Sequence, residues 1–185
     1  MLNKNFINAE RSARGDEVYT PFYAVLPIIK YLPKDKIIWL PFDEEWSAFY
    51  QLLKENGFQV VRSSLKEGRD FFVYKPKKFD IIVSNPPFSR KDDVLERMKS
   101  LGKPFMLLLP LASLQGKRRY ECFKEGIQLL AFDSRVDYHT RQDFENYKPG
   151  NYYASVYFCK DILPRDIIIE KLEKYSRPLK IEMSQ

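Results

Sequence analysis

The sequence predicts an α/β fold built on a mostly parallel sheet, with one antiparallel strand near the C-terminus. Three observations carry that expectation. Apolar runs of strand length alternate with stretches of helical period, the rhythm of parallel strands joined by crossover helices. Ile81, Ile82 and Val83 are apolar on both faces, as a central strand covered from both sides must be. The last two strands, 127–132 and 154–159, are joined by a segment without helical period, so one can run against the other. A chain of 185 residues is one domain's worth and long enough for a core. The whole chain, 1–185, is therefore read as a single domain.

Taken in order, residues 1–15 are polar and read as a flexible N-terminus. Thr20 before Pro21 is a helix start, the hydroxyl capping and the proline opening the first turn. Phe22, Val25, Ile29 and Leu32 continue it, with Pro27 kinking or shortening the helix. The first strand is 36–42. Asp43 is expected to cap a helix reaching Asn56, with Trp46, Phe49, Leu52 and Leu53 inward and Gly57 as its stop. Residues 58–62 form the second strand, 68–72 the third and 79–83 the central one. Ser89 and Asp92 read as a capping pair for a helix with Val94, Leu95, Met98 and Leu101 inward, ending at Gly102. A strand at 105–109 closes at Pro110, a short helix runs from Gly116 to Glu125, and 127–132 is again a strand. The segment 133–153 is polar and aromatic-rich without period, a length of loop that is uncommon unless functional or disordered. After the strand at 154–159, residues 167–175 are expected to form a C-terminal helix.

Composition narrows the function classes. Hydrophobic residues make 44% and charged residues 30%, a globular rather than a disordered balance. No apolar run approaches a membrane span, and the first residues lack the apolar core of a signal peptide. Cys122 and Cys159 are too few and too far apart for a disulfide scaffold or a zinc site, so a cytoplasmic location and no metal are expected. The formal charge of +6 favours a polyanionic partner such as nucleic acid. The aromatic share of 15% supplies rings for stacking as well as for a core. A single histidine disfavours a Ser-His-Asp triad.

The chemistry-bearing stretch is Ser84-Asn85-Pro86-Pro87-Phe88, directly after the central strand. Two prolines cannot continue a ladder and each restricts the residue before it. An amide and an aromatic are thereby presented at the carboxyl end of a strand, where open α/β sheets place ligand sites. These residues resemble the catalytic tetrapeptide Asn/Asp/Ser-Pro-Pro-aromatic of the amino-methyltransferases, most closely the N(6)-adenine type. The resemblance covers roughly residues 16–160 and implies a Rossmann-like class I methyltransferase fold with S-adenosylmethionine as cofactor. It looks like the small stand-alone enzymes carried by phages and mobile elements, with 133–153 in place of a target-recognition domain.

The resemblance also implies roles. The Asn85 amide oxygen and the Pro86 carbonyl would accept from the exocyclic amine of a flipped adenine; Pro87 would hold the turn and Phe88 would stack on the base. Tyr19, Thr20 and Pro21 are similar to the segment that closes over the methionine end of the cofactor. Asp70 and Phe71 resemble the family's Asp-Phe segment, which meets the cofactor's adenine. The family's cofactor turn, Asp/Glu-Pro-Phe-x-Gly-x-Gly, reads here Leu40-Pro41-Phe42-Asp43-Glu44-Glu45-Trp46. Pro41 and Phe42 are kept, while both glycine positions carry larger residues that fill space the methionyl group would take. Asp43 could still hold its ammonium. After the second strand, Arg62-Ser63-Ser64 leaves the usual ribose contact absent or made by a serine. Lys117, Arg118 and Arg119, with Arg135, Arg141 and Lys148 of the long loop, are candidate phosphate contacts. DNA is the expected substrate. The alternatives are an RNA adenine or protein glutamine amide as acceptor, or a methyltransferase-like binding protein that has lost its cofactor.

Overall fold

In the computed structural model, residues 18–140 and 154–177 are described. The apolar runs form strands close to where their patterns place them: β2 (Ile37–Leu40), β3 (Gln59–Arg62), β4 (Ile81–Ser84), β5 (Phe105–Pro110), β6 (Gln128–Phe132) and β8 (Ser155–Lys160). With β9 (Ile167–Glu170) they make a seven-stranded sheet in the order β3-β2-β4-β5-β8-β6-β9. Neighbours among β3, β2, β4 and β5 are parallel, as are β6 and β9. Strand β8 is antiparallel to both β5 and β6, the single reversal expected near the C-terminus. A separate antiparallel pair joins β1 (Val18–Tyr19) to β7 (His139–Thr140), so the start of the long loop returns to the N-terminal segment.

Helices cover both faces. On one side lie α1 (Phe22–Val25) and α2 (Ala48–Glu55); on the other lie α3 (Lys91–Leu101) and α4 (Lys117–Phe123). Neighbouring residues of β8 show the two layers. Tyr157 meets Phe49 of α2 at 6.4 Å and donates its hydroxyl to the Ala24 carbonyl at 2.8 Å, while Phe158 stacks on Phe123 at 5.6 Å. Under the β2 end, Trp39 gathers Phe71 at 5.5 Å and Phe79 at 4.9 Å, and Phe42 adds to Phe71 at 4.8 Å. Each such pair adds about 0.5–1.5 kcal/mol beyond area burial.

Several expected elements differ. Residues 167–170 are the strand β9, not part of a helix, because Ile167, Ile168 and Ile169 are β-branched and stiff at χ1. They gain a parallel ladder with β6 instead. No third strand forms at 68–72. The Asp70 carboxylate accepts from Phe72 N at 3.0 Å and its carbonyl accepts from Val73 N and Tyr74 N, local bonds that replace a ladder. Thr20 is not the helix cap: Pro21 takes that position without a side-chain bond, and Pro27 sits in a 3-10 turn, Leu26–Tyr31, that follows only one α turn. Asp43 does not cap α2. Ser47 does, accepting from Tyr50 N at 3.2 Å. Ser89 and Asp92 form no capping box; Arg90 precedes α3, which carries Asp92 and Asp93 in its first turn and so suits the helix dipole. Its stop is as expected, Gly102 at φ 59, a left-handed conformation that glycine adopts freely.

Candidate functional site

Strand order fixes where a ligand crevice belongs. The chain runs from β2 outward to β3, then crosses back to place β4 on the other flank of β2. That reversal is a topological switch point, and crevices open there at the carboxyl ends of the strands. The residues at those two ends are Asp43, just past β2, and Asn85, just past β4.

They are held close together. Ser84, the last residue of β4, donates its hydroxyl to Asp43 Oδ2 at 2.7 Å. Asp43 is buried, at 7% exposure, and its pKa is pushed up to about 6, chiefly by burial. Glu44 adds to the rise, while the hydroxyls of Ser84 and Ser47 oppose it. Asn85 donates its amide to the Val18 carbonyl at 3.4 Å. Its Oδ1 is buried and has no hydrogen-bond partner among the described residues. Buried polar atoms are paired in the great majority of cases; the hydroxyls of Ser64 and Ser113 share this state, and what distinguishes the Asn85 acceptor is its place at the strand end beside the cavity.

A small cavity of about 50 Å³ lies between these ends, lined by Val18, Tyr19, Thr20, Asp43, Trp46 and Asn85 among others. Trp46 closes it. Its ring meets Tyr19 edge-on at 5.0 Å and its Nε1 donates to Glu44 Oε2 at 3.1 Å. Glu44 is in turn paired with Lys66 at 2.7 Å, and Glu45 with Arg62 at 2.9 Å. At the end of β3, Ser63 accepts from Trp39 Nε1 at 2.9 Å, whereas the Ser64 hydroxyl is buried without a partner among the described residues.

The predicted residues thus fall into sets. Tyr19, Thr20, Asp43 and Asn85 share one cavity, and Pro86 and Pro87 follow Asn85 in extended backbone into the turn of Phe88. Phe88 is buried at 8% exposure, with Tyr138 edge-on at 6.0 Å, so its ring is packed into the core rather than presented as an open platform. Pro21 and Pro41 are buried and do not line the cavity. Phe71 does not face the crevice: it is 1% exposed within the aromatic cluster of Trp39 and Phe42, while Asp70 holds its own turn.

The basic cluster on α4 is engaged with protein. Arg118 bonds both Glu96 oxygens at 2.8 Å and Asp93 at 2.9 Å, and Arg119 pairs with Asp92 at 3.0 Å. Arg118 holds the carboxyls of Asp93 and Glu96 below their ordinary range. These arginines latch α4 to α3, because the acids at the start of α3 face them. Lys117 and Arg135 are exposed, while Arg141 and Lys148 lie outside the described residues. Sequence reasoning missed Ser47 and Ser84 as the hydroxyls around Asp43, whereas a serine after the second strand was among its candidates; the available signal was a hydroxyl at the end of an apolar strand or ahead of a helix.

Among the described residues no helix is long and apolar enough to cross a membrane, and no group of three or more His, Cys, Asp or Glu is placed to hold a metal. A comparison with protein-family models finds no match, and a comparison with curated proteins finds none.

Proposed function

We propose that the chain is an S-adenosylmethionine-dependent methyltransferase of the Rossmann-like class I fold, acting on the exocyclic amine of adenine in DNA. One observation carries the reading: the unspent Asn85 Oδ1 at the carboxyl end of the strand beside the switch point. An acceptor fixed there is open to a donor, and a substrate amine can supply one. An exocyclic amine brings two N–H groups, one for Asn85 Oδ1 and one for the Pro86 carbonyl. Holding both turns the nitrogen lone pair in a fixed direction and favours positive charge as it develops there. A base in a duplex must first be flipped out, at a cost of roughly a few kcal/mol.

The donor set suits the cofactor. The Asp43 carboxylate matches an ammonium, and the Ser64 hydroxyl stands at the end of β3, where a ribose hydroxyl is commonly held. S-adenosylmethionine would supply the electrophilic methyl group. The cavity, about 50 Å³, is well below the roughly 300 Å³ at the lower end of small-molecule pockets. Cofactor entry would therefore require the side chain of Trp46 to swing outward. The small cavity also favours a second reading, a methyltransferase-like nucleic-acid-binding protein without cofactor.

A labelled-methyl assay on adenine-containing DNA and RNA, run beside thermal melts with and without cofactor, separates these readings. Transfer to DNA, lost in Asn85→Ala with melting lowered by no more than the one Val18 hydrogen bond, about 0.5–1.5 kcal/mol, supports the enzyme. Absence of any cofactor-induced stabilisation at millimolar concentration, with nucleic-acid binding intact, selects the second reading.

A further inference from the structure

The connection from β3 to β4 carries an unassigned surface. Because Asp70 folds this segment into a turn, Val73 is thrown to 81% exposure between the half-buried rings of Phe72 and Tyr74. The Arg90 guanidinium, just past the catalytic-type tetrapeptide, lies over the Phe72 ring at 3.6 Å, and Arg69 lies over Tyr74 at 5.7 Å. Lys75, Lys77 and Lys78 follow, all exposed and without an ion pair among the described residues. Both arginines have acidic partners, Arg90 with Asp93 at 3.3 Å and Arg69 with Glu67 at 3.7 Å, so the unpaired positive charge of this surface is that of the three lysines.

We infer that this surface, from Arg90 through the Val73 tip to Lys78, docks a nucleic-acid backbone. Its layout suits a polyanion better than a small anion. The cations do not converge on one point. They run from beside Asn85 at the carboxyl end of β4 to its amino end, and the four residues of β4 alone span about 13 Å. Duplex DNA presents a charge every 1.7 Å or so along its axis. Arginines already stacked on rings are partly ordered before binding, and an exposed apolar side chain between aromatic ones offers contact to a sugar or base. The inference rests on the nucleic-acid part of the proposed function and is independent of methyl transfer.

The test is fluorescence anisotropy without methyl donor, using a labelled duplex two turns long, a single strand and an RNA, over a range of salt. The triple variant Lys75→Ala/Lys77→Ala/Lys78→Ala is compared with Lys124→Ala/Arg165→Ala/Lys171→Ala, on the far side of the sheet order, and with the single Lys77→Glu. Each phosphate contact contributes about 0.9 to the slope of log affinity against log salt. The loop triple should flatten the slope by about 2–3 and weaken low-salt binding at least tenfold or so, with native melting. Lys77→Glu should weaken binding in the same direction, and the distant triple should leave the slope unchanged. An unflattened slope in the loop triple, no nucleic-acid binding by the wild type, or preferential binding to anionic vesicles would overturn the inference. Asn85→Ala should keep the full slope, so a failed methyl-transfer reading and a failed docking surface give different results.

Discussion

The ends of β2 and β4 lie side by side at the same switch point, yet they are built in opposite ways. Past β4, the prolines deny the chain a further ladder and leave Asn85 with a buried acceptor that has no partner among the described residues. Past β2, nearly every polar group is spent: Asp43 on Ser84, Glu44 on Lys66 and Trp46, Glu45 on Arg62. One end is poised to gain a contact, whereas the other must give contacts up before a ligand can enter. A crevice of this kind binds its two ligand parts unequally, and the substitutions that test it should separate affinity from turnover.

The largest effect is expected at Phe88. As a buried ring, its truncation in Phe88→Ala should cost about 3–5 kcal/mol of stability, and base stacking with it. A chemical melt that shows less than about 1 kcal/mol of loss would mean the ring is not part of the core. Asn85→Ala should follow at the same strand end, with methyl transfer falling a hundredfold to a thousandfold or so, equivalent to about 2.7–4 kcal/mol. Its melting should fall by no more than about 0.5–1.5 kcal/mol, because the amide gives up one long bond, the 3.4 Å donation to the Val18 carbonyl. Full activity in that variant would break the contrast between the two ends.

At the β2 end, Asp43→Asn keeps an acceptor for Ser84 while removing the charge. The folded pKa of about 6 lies above the ordinary 3.8, so proton uptake on folding stabilises the wild type. That contribution is complete below about pH 4 and is lost as pH rises through about 6. The difference corresponds to on the order of 3 kcal/mol. Asp43→Asn should therefore match the wild type at acid pH and exceed it in stability at neutral pH, as urea melts at both would show. Cofactor affinity should move the other way: in the wild type it should rise through about pH 6 as the carboxylate ionises, and in the variant it should be weak and flat. A pH-independent affinity in the wild type would remove Asp43 from the ammonium role.

How much of this was legible follows from how local each signal is. The Asn-Pro-Pro-Phe turn is contiguous, and its position after an apolar run placed it correctly at a strand end. The strands themselves follow the apolar runs for the same reason. Asp43 looked like a helix cap because its partner Ser84 is 41 residues away, and only the adjacency of β2 and β4 brings them together. Arg118 and Arg119 looked free for phosphate because the acids of α3 that bind them lie more than twenty positions earlier. At 68–72 a local competitor, the Asp70 turn, overrode a strand pattern. At 167–170 the isoleucine run decided the element once a neighbouring edge, β6, was there to receive it.

The smallest effect, and the one that bears most directly on the closed end, concerns Trp46. Opening the cavity forfeits its edge contact with Tyr19, about 0.5–1.5 kcal/mol, and its hydrogen bond to Glu44, about 0.5–1.5 kcal/mol. A ligand that needs the open arrangement pays that sum out of its binding energy, whereas a variant without the indole does not. Trp46→Ala should therefore bind S-adenosylmethionine roughly tenfold more tightly than the wild type, the lower part of that sum converted at 1.4 kcal/mol per tenfold. Calorimetry reads the gain directly, and the association rate should rise with it, since the barrier removed stands at entry. Turnover at saturating cofactor should stay near the wild-type value, because Trp46 lies on the cofactor side and Asn85 on the amine side. If affinity instead falls, the indole is part of the binding surface and the cavity is complete as it stands. In that case the β2 end is not a closed door, and the cofactor-free reading gains the advantage.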